Sequence, residues 1–165
     1  MARPTDLIAE ARRQWERRWG GAPAAPMAAV TSIMRVEQVL MAELNELLKP
    51  FDLTFPRYEA LMLLSFSQKG ELPLGKVGER LQVHRTSVTN TIDRLEASGY
   101  VSRKPHPEDR RTTLAEITPA GRRVAKRSTV VLNDADFALE GLTRAEIQAL
   151  TRLLREVRAA AGDFD

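Results

Sequence analysis

The chain has 165 residues, 43% hydrophobic and 28% charged, which suits one packed domain and not a disordered tail. It holds no cysteine, so disulfides, thiolate metal centres and thiol redox sensing are excluded. The net charge is only +3, but residues 80–127 carry 11 Lys/Arg against 5 Asp/Glu, a local +6 inside a frame of −3. This balance suggests a polyanion partner for the centre, although a solvated basic surface would show it too.

Thr5-Asp6 starts a first helix with Ile8, Ala11, Trp15 and Trp19 on one face, and Gly20-Gly21 stops it. This opening stretch lacks the roughly 7–15-residue apolar core of a secretion signal. No later run nears the ~20 apolar residues that span a bilayer, so no membrane and a cytoplasmic location are expected. GGAPAAP, ending at Pro26, reads as a short linker. A long helix from about Met27 to Lys49 follows, with the stripe Val30, Ile33, Leu40, Leu44 and Leu47, and Pro50 ends it. Thr54 is placed to cap a third helix containing Tyr58, Leu61, Met62 and Leu64, which Gly70 breaks. Leu74–Leu81 is a short helix after Pro73. A turn at Gln82-Val83-His84 leads into a helix from Arg85 to about Ser98, closed by Gly99. Val101–Lys104 and Thr112–Ile117 read as strands joined by a polar loop, a β-hairpin with a charged tip. Thr118-Pro119 restarts a helix that Gly141 interrupts. Thr143-x-x-Glu146 is a capping box for the last helix, with Ile147, Leu150, Leu154 and Val157 inward. The expected fold class is mainly α with a small β-hairpin. Apolar stripes on outer helices at both chain ends must be buried, and a closed two-fold homodimer does so naturally.

The helix at Arg85–Ser98 is the most informative element. Val88, Ile92 and Leu95 point inward, which leaves Thr86, Asn90 and Asp93 outward, flanked by Thr89 and Arg94. A merely solvated face favours Glu and Lys. Short hydroxyls instead let a helix approach a groove closely, and Asn bonds adenine bidentately. At the hairpin tip, Arg110 and Arg111 suit an A·T-rich minor groove, with Asp109 as a partner that orients an arginine. The bland alternatives are a weakly specified surface helix and a solvated charged turn.

The run LQVHRTSVTNTIDRLEASGYVSRKPHPEDRRTTLAEITPAG, from Leu81 to Gly121, resembles the MarR (multiple antibiotic resistance regulator) family. The tokens ID-R-LE-x-x-G, V-x-R-x-x-x-x-x-D-x-R and I-T-x-x-G fall in order and at the family's spacing, and the likeness extends over roughly residues 27–161. The resemblance implies a winged helix-turn-helix DNA-binding domain over residues 54–117. It implies dimerisation through residues 1–53 and 118–165, with residues 5–19 as an extra N-terminal helix. It also implies that the helix at Arg85 enters the major groove, that Arg111 enters the minor groove and that Asp109 steadies the wing. The candidate DNA contacts are His84, Arg85, Thr86, Ser87, Thr89, Asn90 and Arg94 on the helix, and Arg103, Asp109, Arg110 and Arg111 on the wing. The family usually has Ser or Thr as a cap where this chain has His84, which serves either as an unusual cap or as a phosphate contact.

Many members of the family release DNA on binding a small aromatic or anionic molecule, which implies such an effector here. Trp15 and Trp19 resemble the added helix of urate-responsive members, where a Trp lines the ligand site. Against this, Glu59 stands where those members have Asp, and Thr91 where they have Arg. The tryptophans equally serve to pin the extra helix. Arg57, Tyr58 and Glu59 are possible pocket groups, or else Tyr58 is core and the charges face out. With only His84 and His106 and no cysteine, no metal site and no cofactor are expected. No phosphate loop or nucleophile elbow points to an enzyme. The expected function is a sequence-specific transcription regulator, a repressor on a pseudo-palindromic double-stranded operator that a ligand releases. The alternative is an architectural or protein-interaction winged-helix module.

Overall fold

A computed structural model describes residues 5–109 and 111–164. The chain divides into two compact units, Met1–Glu43 and Leu44–Asp165.

In the first unit, α1 (Leu7–Trp19) starts at Asp6, whose Oδ1 accepts the N–H groups of Ile8 and Ala9 at 3.0 Å each. Gly20 ends the helix at φ 87°. Trp15 and Trp19 are exposed, with ring centroids 6.3 Å apart. α2 (Gly21–Leu48) runs straight through the stretch expected to be a linker. Pro23 lies in its first turn, where a missing N–H leaves no helical bond unmade. Pro26, inside the helix, forfeits one backbone bond, and the surrounding alanines, the best helix formers, carry the helix past it.

The second unit opens with the last turn of α2, where Leu44 and Leu48 are buried, and a 3₁₀ turn at Lys49–Phe51. α3 (Phe55–Phe66) begins at Thr54, but among the described residues the Thr54 hydroxyl makes no capping bond. The Asn45 side chain does that work from α2, accepting the Phe55 N–H at 2.8 Å. β1 (Glu71–Pro73), α4 (Leu74–Leu81), α5 (Arg85–Ala97), β2 (Val101–Pro105), β3 (Thr113–Ile117) and α6 (Pro119–Asp134) follow. The strands pair antiparallel in the order β1-β3-β2, with Glu71 opposite Glu116 and Val101 opposite Ile117. The expected hairpin is therefore the larger part of a three-stranded sheet. β1 has only three residues and ends in proline, so it carries too little alternation to read as a strand, and it takes the edge position proline tolerates. Tyr58, Leu61 and Leu64 of α3 share the core with Val77, Val88, Ile92, Leu95, Val101, Leu114, Ile117, Val124 and Leu132. α6 ends in a 3₁₀ turn at Asp136–Ala138, ahead of the break expected at Gly141. α7 (Arg144–Ala160) starts from the full Thr143–Glu146 capping box. The described chain fully buries none of its residues, and Leu153 and Val157 are 55% and 59% exposed. Among the described residues, no helix is long and apolar enough to cross a membrane.

Candidate nucleic-acid interface

α5 is held by its inner face and offers its outer one. Val88, Ile92 and Leu95 are buried, whereas Arg85, Thr86, Ser87, Thr89, Asn90 and Arg94 are exposed. His84 is its N-cap. Nδ1 accepts the Thr86 N–H at 3.3 Å and lies 3.2 Å from the Thr86 hydroxyl. His84 thus serves as the cap through Nδ1, which acts as the acceptor. The Thr89 hydroxyl donates back to the Arg85 carbonyl at 3.1 Å. After α5, Gly99 takes φ 71°, a conformation that side chains resist, and turns the chain into β2.

Arg103 couples the wing to α5. Its guanidinium donates to Asp93 at 2.5 Å and to Glu96, and its backbone N–H reaches Glu96 Oε1 at 3.1 Å. The side chain is 24% exposed, against 53% for Asp93 and 40% for Glu96. Partial burial disfavours the arginine's charge, but the bonds to the two carboxylates prevail and raise its pKa. Asp93 thus belongs to a strut, a role its outward place on the helix did not reveal. Lys104 is held across the sheet by Glu71 and by Glu116 at 3.2 Å, and those bonds raise its pKa.

The tip of the wing is a closed turn. Asp109 accepts the Thr112 hydroxyl at 2.7 Å and the Arg111 backbone N–H at 3.0 Å, and these bonds hold its carboxyl below the usual range. Asp109 therefore orients Arg111 through the main chain. His106 Nδ1 accepts the N–H groups of Glu108 and Asp109, both at 3.2 Å. The Arg111 side chain is exposed, and Arg110 lies outside the described residues.

Two open clefts line α5. One, about 700 Å³, lies against α4 and the wing and includes Lys76, Arg85, Thr89, His106 and Arg111. The other, about 800 Å³, lies against the start of α3 and includes Arg57, Ser87, Asn90, Thr91 and Arg94. Of the candidate effector residues on α3, Arg57 lines this second cleft. Tyr58 is buried, with its hydroxyl 3.0 Å from that of Thr129, so it is a core residue. Glu59 is exposed, but partial shielding of its carboxyl raises its pKa. Trp15 and Trp19 belong to the first unit.

The spaced tokens of the sequence are thus parts of one bonded unit. Ile92, Leu95, Val101 and Ile117 are core, Asp93 and Glu96 hold Arg103, and Asp109 closes the tip. Thr118 caps α6, accepting the Gly121 N–H at 3.0 Å while its hydroxyl donates to the Gly99 carbonyl at 2.8 Å. Glycine is required at 121, because a Cβ there would lie 2.1 Å from the Tyr100 carbonyl oxygen.

Comparison with known proteins agrees with this geometry. Residues 53–113 match the model of the MarR family. The chain is 30% identical to the HTH-type transcriptional repressor Mb2911 of Mycobacterium bovis, over 84% of this chain and 97% of that protein. It superposes with a TM-score of 0.80 on Sco5413, a MarR family transcriptional regulator from Streptomyces coelicolor, at 52% identity over 88% of this chain and 99% of that one. A cysteine-to-serine mutant of MarR from Escherichia coli, complexed with operator DNA, superposes with a TM-score of 0.69 at 26% identity, over 93% of this chain and 99% of that one. A winged helix-turn-helix with these tokens in bonded register, matched by relatives over nearly their whole length, makes this chain a transcription regulator and a member of the MarR family.

Proposed function

We propose that the protein is a sequence-specific repressor that binds a pseudo-palindromic operator as a homodimer in the cytoplasm, and that a small aromatic or anionic molecule releases it. The observation that carries the DNA-binding half is the short, polar, exposed face of α5, Thr86, Ser87, Thr89 and Asn90, set beside the tip that presents Arg111. Residues 54–117 read the DNA in this proposal. Arg85 and Arg94 meet phosphates, as does His84 through Nε2 while its Nδ1 caps α5, Asn90 and Thr86 meet base edges, and Arg110 and Arg111 enter the minor groove. Arg103 acts from behind, by fixing the wing to the helix. The proposal is supported by similarity to an operator-bound MarR and to a named repressor. Arg57, the one cation on α3 that lines the cleft beside Asn90, is the first anchor for an anionic effector, with Trp15, Trp19 and Glu59 as the remaining candidates.

An anisotropy titration at one stated salt concentration tests this against upstream and scrambled DNA. A preference of about 10³-fold or more is expected. Asn90→Ala should erode that preference while nonspecific affinity persists. Arg111→Ala should weaken binding to all sequences and lower the salt slope by about 1. Equal affinity for every sequence, including after selection from a random pool, would leave an architectural role instead.

Residues 1–53 and 118–165 supply the dimer in this proposal. The exposed apolar residues Val30, Ile33, Met34, Val36 and Val39 on α2, and Leu153 and Val157 on α7, support it. The double variant Leu153→Glu, Val157→Glu should sediment as a monomer where the parent is a dimer. An unchanged sedimentation coefficient would remove α7 from the interface.

A further inference from the structure

His106 is the wing residue whose bonding the DNA-reading account leaves unused. It is half-buried at the foot of the tip and lines the cleft against α4 and α5 as well as another, of about 560 Å³, between the α3–β1 connection and the wing. Its Nδ1 accepts two main-chain N–H groups, from Glu108 and Asp109, each at 3.2 Å. The backbone N–H of His106 donates to the Thr112 carbonyl at 3.0 Å, and the Thr112 backbone N–H returns to the Asp109 carbonyl at 3.0 Å. The ring is thus built into the turn that carries Asp109 and Arg111. An imidazole accepts at Nδ1 only while that nitrogen is unprotonated, and an imidazolium has donors alone.

We propose that His106 is the positioning residue of the wing: its neutral ring holds the tip in the shape that presents Arg111, and a proton on Nδ1 breaks that hold, so operator affinity depends on pH through this side chain. The proposal rests on the hairpin being a DNA-contacting wing. The sign follows from the two states. The neutral form closes the turn, so its contribution is complete at higher pH and is lost as pH falls into the range where imidazoles take up a proton. The charged groups that share the first cleft with His106 are Lys76 and Glu79 of α4, Arg85 of α5, and Asp109 and Arg111 of the tip. In the second cleft they are Lys69, Glu71, Arg80 and Glu108. They are of both signs, and a proton on the ring would itself attract phosphate. The proposal therefore requires loss of the turn to outweigh that attraction.

The test is operator affinity by anisotropy at one salt concentration, from about pH 8 to about pH 5.5, for the parent and for His106→Asn, His106→Gln and His106→Ala. Asparagine puts an untitratable acceptor where Nδ1 stands, whereas glutamine puts its acceptor where Nε2 stands. At the upper pH the Asn variant should match the parent, and the Gln and Ala variants should bind about 5–10-fold more weakly, the low end of the loss expected for two unmade main-chain bonds. As pH falls, the parent should weaken by a similar factor relative to the Asn variant. His84 is present in every arm, so its contribution cancels in that ratio. In the free protein, the Glu108 and Asp109 amides should lose exchange protection with falling pH in the parent and keep it in the Asn variant.

A ratio that stays constant, or a parent that tightens relative to the Asn variant, overturns the proposal. So does equal behaviour of the Asn and Gln variants. Weak binding by Arg111→Ala alongside a flat His106 series overturns this proposal alone. An Arg111→Ala variant with parental affinity overturns the DNA-contacting wing, and the affinity half of the proposal with it.

Discussion

Alanine at position 121 is expected to destabilise the winged unit by about 3 kcal/mol or more, at the severe end of overpacking. The added Cβ would stand 2.1 Å from the Tyr100 carbonyl oxygen and 2.9 Å from the Ile117 side chain. The Ile117 contact could relax, but the Tyr100 oxygen is anchored. It accepts the Thr118 N–H at 3.0 Å, and Thr118 is the residue that caps α6. Relieving the clash therefore moves the crossing of the hairpin and the helix and loosens the cap. Against the ~5–15 kcal/mol of an ordinary domain this is a large share. The check is a urea titration followed by circular dichroism. A strongly lowered midpoint, or insoluble protein, is the expected result. A parental midpoint would mean that the Tyr100 carbonyl can turn away without loss.

Arg103→Ala is expected to weaken operator binding on the order of 100-fold at low salt, more than its effect on folding explains. The two ion pairs are half exposed and contribute only about 0.2–1 kcal/mol each to stability. Removing the guanidinium does more at the DNA face. It takes away the strut between β2 and α5 and leaves Asp93 and Glu96 as uncompensated negative charges on the helix that the proposed function sets against DNA. The loss should shrink as salt screens those charges. Adding Asp93→Asn and Glu96→Gln to the Arg103→Ala variant should recover about one decade of affinity, because it removes repulsion without restoring the strut. Affinity that falls only in step with thermal stability would reduce Arg103 to a structural residue.

Much of this architecture was legible because it rests on local rules. Asp6, Thr118 and Thr143 cap helices from within a few residues of the bonds they make. Val88, Ile92 and Leu95 face inward because their spacing alone puts them on one stripe, and all three are buried. The extent of α2 was less legible. Two prolines and two glycines look like a linker one at a time, yet a proline in a first turn breaks no bond and one deeper breaks only one. The candidate site divides the same way. The exposed polar face of α5 follows from periodicity. That Asp93 serves Arg103, ten residues on, does not, because β2 must first fold back along α5 to bring them together.

By itself the sequence determined the order of the helices and of the two hairpin strands, the buried stripe of α5, the charged tip and the family. Each of these depends on spacing within one element or on a short run of residues in fixed register. The tertiary structure decided what joins those elements. It set β1 on the edge of the sheet, gave Asn45 the capping of α3, tied Arg103 to two carboxylates of α5, and placed Gly121 against the Tyr100 carbonyl. It also turned His106 from a loop residue into the acceptor of the Glu108 and Asp109 N–H groups. The physical reason is common to all five. A hydrogen bond, an ion pair or a steric contact needs its partner within a few ångströms, and when that partner belongs to another element, or to the far side of a turn, only the folded chain brings it there.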